Sequence, residues 1–225
     1  MERQRAAQDT NTPSGSTLAV LLLYGGIWGL MEATVGFLLH LVPRFAPLPP
    51  LAGMVLFPVG VLFMLAAVHA SGKPATAAGV AAVAAAIKAS SALLAPIPWL
   101  FVQNPVLSIL LEGLVVWGLV GAFASQRHSA RTFPLAVTAA VSWRLLFIAA
   151  HVAFGIQWGL LARGVPAVVQ FVLLDSLVNG VLITALLSAD LPRKLQAPSS
   201  ALLRPVPLGA VLALAVMAEY VTSIV

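Results

Sequence analysis

Apolar residues in this chain neither alternate at the two-residue period of a strand nor keep to one stripe of a surface helix. They run on for about 20 residues at a time, the length that crosses a bilayer as a helix. Residues 1–16 are polar, end in Thr-Pro-Ser-Gly-Ser and read as a disordered cytoplasmic tail. Apolar runs then cover about Thr17–Val42, Leu51–Ala70, Ala75–Ala95, Pro105–Ala124, Phe133–Phe154 and Pro166–Ser188. These six predict a membrane core over 17–188. The first run is too long for a signal-peptide core and lacks a small-residue cleavage site, so it counts as a span. A polar cytoplasmic loop follows over 189–205. A shorter run over 206–225 predicts a seventh helix, or an interfacial segment because it carries Glu219, which would leave six spans.

Composition supports an all-α, polytopic membrane helical bundle. Of 225 residues, 60% are hydrophobic and 8% charged, and the mean hydropathy is +1.01; a soluble domain carries about 25% charged residues. Barrel strands would show short alternating segments instead. With no cysteine there is no disulfide or thiolate site. The net charge of +5 does not indicate nucleic acid, because the basic residues sit at the borders of the apolar runs. Arg3, Arg5, Lys73, Arg127, Arg131, Arg193, Lys194 and Arg204 flank one side, and Arg44 and Arg163 the other. The positive-inside rule then predicts a multi-pass protein of the cell membrane with a cytoplasmic N-terminus.

Polar residues inside the runs are where function is expected, because a charge at mid-bilayer costs about 3 kcal/mol and faces a partner or a wet cavity. Glu32 lies in GGIWGLMEATVGFLLH, where Gly25, Gly29, Glu32, Gly36 and His40 fall on one helical stripe. Lys88, Glu112, Arg144, His151, Asp175 and Glu219 occupy later runs. Asn104, Ser108 and Glu112 step by four along one face, as do Asp175 and Asn179. A faint parallel repeat, Lys88 to LLEGLV and Arg144 to LLDSLV, predicts two pairs, Lys88 with Glu112 and Arg144 with Asp175. Such pairs can be structural or can contact a solute. Glu32 and Glu219 are left without an obvious partner, as carboxylates that carry a proton in a transport or catalytic cycle are. Two lone histidines without a tight His, Asp or Glu cluster make a poor metal signal and fit hydrogen-bonded mouth residues better, and no cofactor is expected. Trp99 and Trp158 fit an interfacial aromatic belt or a lid. Gly25, Gly29 and Ala33, with Ala77, Ala81, Ala85 and Ala89, are small-residue ladders that pack helices within the chain or dock a partner subunit.

No GxSxG elbow, HExxH, P-loop or CxxC is present. The six-span core, the loops opposite the basic side and the Gly25-x-x-x-Gly29-x-x-x-Ala33 ladder resemble the substrate-binding S components of energy-coupling-factor transporters. The resemblance implies a solute capped near the outer face and a coupling subunit with ATPases that meets small residues of the first helix. The expected function is therefore binding of a small solute from the outer side. The lid would be Arg44, Trp99, Gln103, Asn104, Gln157, Trp158 and Arg163, and the floor Glu32, Lys88, Glu112, Arg144 and Asp175, with His151 and Asn179 adjoining. The alternatives are a membrane-embedded enzyme acting on a lipid-linked substrate, with Glu32, Glu112 or Asp175 as acid and base, and an accessory subunit of a membrane complex.

Overall fold

A computed structural model of the chain describes residues 16–39, 41, 51–94, 98–125, 131–156, 159–196 and 201–224, except the side chains of Leu100 and Phe101. Among them, seven helices are long and apolar enough to cross a membrane. They are α1 (Thr17–Leu39), α2 (Ala52–Ser71), α3 (Thr76–Leu94), α4 (Trp99–Ser125), α5 (Thr132–Phe154), α6 (Val165–Ser188) and α7 (Pro205–Ile224). The chain is thus an all-α integral membrane protein, and the last run is a full-length helix. His40, Arg44, Gln157 and Trp158 lie outside the described residues.

Local chemistry fixes the helix ends. Ser16 caps α1 by accepting a hydrogen bond from the Ala19 N–H at 3.2 Å. Gly72, at φ 70°, closes α2 in the left-handed conformation that glycine adopts without a Cβ penalty. α4 begins at Trp99, earlier than the expected start at Pro105. The proline removes one hydrogen bond near the open end of the helix, a local cost that the helix absorbs.

Each helix of a six-membered ring touches the next, in the order α1, α2, α6, α5, α4, α3 and back to α1, while α7 lies outside against α1 and α3. Trp28, Phe57, Val61, Met64, Val80, Val116, Trp143 and Ile183 fill the interior. Among the described residues Lys73, Arg131, Arg193, Lys194 and Arg204 mark one end of the bundle, its basic end. There, the Tyr24 hydroxyl donates to the Leu195 carbonyl and Lys73 Nζ donates to Thr17 Oγ1 at 3.0 Å. At the far end α1, α3, α5 and α7 finish and α2, α4 and α6 start.

The small-residue ladders are spent inside the ring. A Cβ on Gly25 would lie 2.5 Å from Val83 Cβ and 2.9 Å from the Val80 carbonyl, and one on Gly29 would lie 2.7 Å from Ile87. Ala77, Ala81 and Ala85 of α3 are buried, and a Cβ on Gly113 of α4 would collide with Ala81. The expected alternative, that these residues dock a partner, is therefore corrected at Gly25 and Gly29: α3 covers them. Close backbone approach is what small residues provide where no hydrophobic effect drives helices together.

Gly25→Leu should lower stability by at least about 2 kcal/mol through overpacking, whereas Gly121→Leu, with open space around it, should stay within about 0.5 kcal/mol. Equilibrium unfolding in mixed detergent–SDS micelles measures both, and equal losses would contradict the α1–α3 contact.

Candidate functional site

The interior chemistry starts from a proline. Pro58 inside α2 has no N–H to give the Met54 carbonyl four residues earlier, and lipid offers no substitute. Asn179 of α6 supplies the donor, with Nδ2 at 2.6 Å from the Met54 carbonyl and 3.3 Å from that of Gly53. Arg144 of α5 reaches the same turn, Nη2 donating to the Gly53 carbonyl at 3.4 Å. Its Nη1 donates to the Ala140 carbonyl at 3.1 Å and to Ser176 Oγ at 3.3 Å. The guanidinium carbon lies 4.5 Å from the centre of the Trp143 ring and 5.1 Å from that of Phe171, so a wholly buried cation is held by carbonyl dipoles and aromatic faces. Asp175 and Asn179 are both buried on α6, as their four-residue spacing predicts. Asp175 and Glu112 are the carboxylates that act on Arg144. Among the described residues, however, the ion pairs with N–O contacts within 4 Å are Lys88–Glu219 and Arg193–Asp190. The expected Arg144–Asp175 pair is thus an electrostatic neighbourhood and not a contact.

The other expected pair is replaced. Lys88 Nζ sits 2.7 Å from Glu219 Oε1 of α7, with Glu219 only 2% exposed. The reason is vertical register. α3 and α4 run antiparallel and meet at Ala81 and Gly113, which sets Lys88 level with Val106, about 9 Å along the axis from Glu112 at 1.5 Å per residue. α1, α3 and α7 run parallel, with Gly29 against Ile87 and Gly26 against Val211 and Leu212. That registration brings Glu32, Lys88 and Glu219 to one level. Glu32 accepts a hydrogen bond from Trp28 Nε1 at 3.1 Å, and Lys88 and Glu219 are its charged neighbours.

Glu32 also begins a π-helical turn, Glu32–Gly36, and a second π turn, Gln170–Leu174, ends just before Asp175. Each inserts an extra residue and rotates the remainder of its helix by about 100° relative to an uninterrupted α-helix. The expected single stripe is therefore split: Gly25 and Gly29 face α3, while Gly36 faces Leu56 of α2. No local sequence feature announced either turn.

Toward the far end, His151 and Asn104 join α5 to α4. His151 Nε2 and Asn104 Oδ1 are 2.9 Å apart, and Nδ1 is 2.8 Å from the Phe147 carbonyl. Trp99 is exposed, at 54%, as a belt or rim residue would be; Gln103 is half-buried and Arg163 exposed. No three His, Asp or Glu residues gather as metal ligands among the described residues. A cavity of about 70 Å³ at the basic end, walled by Leu65, Phe123, Leu187 and Pro192, is separate from this seam.

Among the described residues, six buried side-chain atoms carry no hydrogen bond: Trp143 Nε1 and Arg144 Nε as donors, Glu112 Oε2, Asp175 Oδ1, Asn179 Oδ1 and Glu219 Oε2 as acceptors. Five of the six belong to α4, α5 and α6 around Arg144. Unpaired polar groups cost about 1–3 kcal/mol each, and here that cost is concentrated in one zone. No protein-family model, curated protein or solved structure matches the chain.

The donation from Asn179 can be read in a double-mutant cycle. Asn179→Leu should cost about 1–3 kcal/mol. In a Pro58→Ala background, which restores an N–H to the Met54 carbonyl, the same change should cost about 1 kcal/mol less, as read by unfolding in micelles. Separately, Lys88→Met strands the buried Glu219 carboxylate and should cost about 3 kcal/mol, and adding Glu219→Leu should recover most of it. Additive losses would contradict the pair.

Proposed function

We propose that this protein is the solute-binding membrane subunit of an uptake system. It takes a small polar or amphipathic solute from the far end, which the basic-residue bias assigns to the outside of the cell membrane. The observation that carries this reading is the gathering of unpaired donors and acceptors around Arg144: Trp143 Nε1 and Arg144 Nε against Glu112 Oε2, Asp175 Oδ1 and Asn179 Oδ1. A site offering both kinds of group, walled by Phe57, Phe147 and Phe171, suits a solute with polar edges and an apolar body. The His151–Asn104 bridge stands between that zone and the far end, where a solute would enter.

The resemblance to S components of energy-coupling-factor transporters supports the same reading. Under it, a coupling subunit with ATPases supplies the energy and docks away from Gly25 and Gly29, which α3 covers. The tight internal use of both ladders favours this over an accessory-subunit role that depends on those residues.

Native mass spectrometry of the purified protein tests the proposal. The wild type should release a small solute of reproducible mass. Trp143→Phe, which keeps a ring but deletes one donor, should weaken retention about tenfold, the equivalent of roughly 1.4 kcal/mol and of one hydrogen bond. No retained solute across growth media, or unchanged retention in Trp143→Phe, would overturn it.

A further inference from the structure

Three helices repeat one order along their inner faces. On α6, Asp175, Asn179, Ile183 and Leu187 follow at four-residue steps and all are buried; on α4, Glu112, Val116 and Val120 do the same, as do Phe57, Val61 and Leu65 on α2. Four residues return a helix to nearly the same face and advance it by about 6 Å. From the far end to the basic end, each face thus gives the solute zone a wall, then one aliphatic side chain, then a wall of the cavity of about 70 Å³, which Leu65, Val120 and Leu187 line. The middle residues, Val61, Val116 and Ile183, are at most 1% exposed and belong to one cluster. On α5 the same step leads from Arg144 to Ala140 and Ala136, small side chains that add little to this layer.

A protein interior packed to ordinary density holds few voids larger than a water, so a cavity at the end of these three faces needs a reason. Its chemistry supplies one. Asp190 and His69 bring a carboxylate and an imidazole to walls that are otherwise apolar. Asp190 takes the left-handed backbone conformation, at φ 53°, and so turns the chain after α6 until the short helix Leu191–Leu195 lies against α2. Its carboxylate meets Arg193 only at 4.0 Å and is 39% exposed, as a group at a cavity mouth would be. Apolar walls with polar groups on one side repeat the chemistry of the zone around Arg144 and suit the same kind of solute, one with polar edges and an apolar body. On the far side of the aliphatic layer, two of the three helices are interrupted. Pro58 breaks the hydrogen-bond ladder of α2 between Phe57 and Val61, and the π turn Gln170–Leu174 precedes Asp175 on α6. Helices bend at such breaks, and an aliphatic constriction of this kind gates a path by excluding water.

We infer that the cavity is a second binding site for the solute, a release site at the basic end of one path along α2, α4 and α6, with Val61, Val116 and Ile183 as the seal between the two sites. The inference rests on the uptake reading, but the seal and the cavity are tested without any solute.

Thiol labelling of the full chain in inside-out membrane vesicles decides it, because the chain has no cysteine of its own. With a small anionic methanethiosulfonate reagent, Leu187→Cys should react and Ile183→Cys should not. Trimming the layer by Val61→Ala or, separately, by Val116→Ala should make Ile183→Cys reactive. Adding Ala124→Trp, a large side chain on an exposed part of the cavity wall, should protect it again, which shows that the reagent enters through the cavity. An unreactive Leu187→Cys, an Ile183→Cys that reacts without trimming or stays protected after both trims, or a reaction that Ala124→Trp does not block overturns the release site. None of these outcomes touches retention of a solute near Arg144 in native mass spectrometry, so failure of the path and failure of the uptake reading are told apart.

Discussion

One carbonyl organises the interior of this bundle. Pro58 strips the Met54 carbonyl of its helical donor in a medium that supplies none, and Asn179 reaches across from α6 to replace it. Asn179 can do so only if α6 lies against α2, and Arg144 joins the same turn through the Gly53 carbonyl. Three helices are thereby locked by polar contacts that an apolar core would not specify. Once a guanidinium is drawn into the membrane to hold a backbone turn, its charge requires carboxylates nearby. Glu112 and Asp175 meet that requirement at a distance, without direct contact.

A second polar rank grows on the opposite side by different means. The glycine and alanine ladders bring α1 close to α3, and parallel registration then sets Glu32 and Lys88 level with Glu219 of α7. The Lys88–Glu219 contact gives α7, the least buried of the seven helices, a polar fastening that supplements the apolar packing of its Leu208 with Ala19 and Leu23 of α1. Both π turns, Glu32–Gly36 and Gln170–Leu174, lie beside carboxylates of the seam. Such bulges recur at functional sites because they redirect side chains and loosen the hydrogen-bond ladder.

The fold was legible because apolar run length is a property of the sequence alone. All seven helices follow from it, including the last, where Glu219 cast doubt on a full span. Faces on uninterrupted stretches of helix were legible too: Asp175 and Asn179, both beyond the π turn of α6, are buried together, as their spacing requires. What failed was whatever depends on the relation between helices. Lys88 was matched with Glu112 by analogy with a repeat, but axial register, set where Ala81 meets Gly113, places them about 9 Å apart. The stripe through Gly25, Glu32 and Gly36 failed because a π turn, which has no sequence signature, rotates its second half. Asn104 and His151 were each singled out, yet their mutual bond joins residues 47 apart and is invisible to any local pattern. The proposed lid residues Arg44, Gln157 and Trp158 lie outside the described residues.

The proposed uptake role requires that the inner face of α4 line a polar path from the far end to Arg144, while its outer face meets lipid. The chain contains no cysteine, so single cysteines can be introduced without background at Asn104, Ser108 and Leu114 and treated with a membrane-impermeant thiol reagent on intact cells. Labelling is expected at Asn104 and Ser108 from outside and not at Leu114, which is 48% exposed on the lipid side. Labelling at Leu114 with Asn104 and Ser108 protected, or reaction of Ser108 from the cytoplasmic side alone, would contradict it.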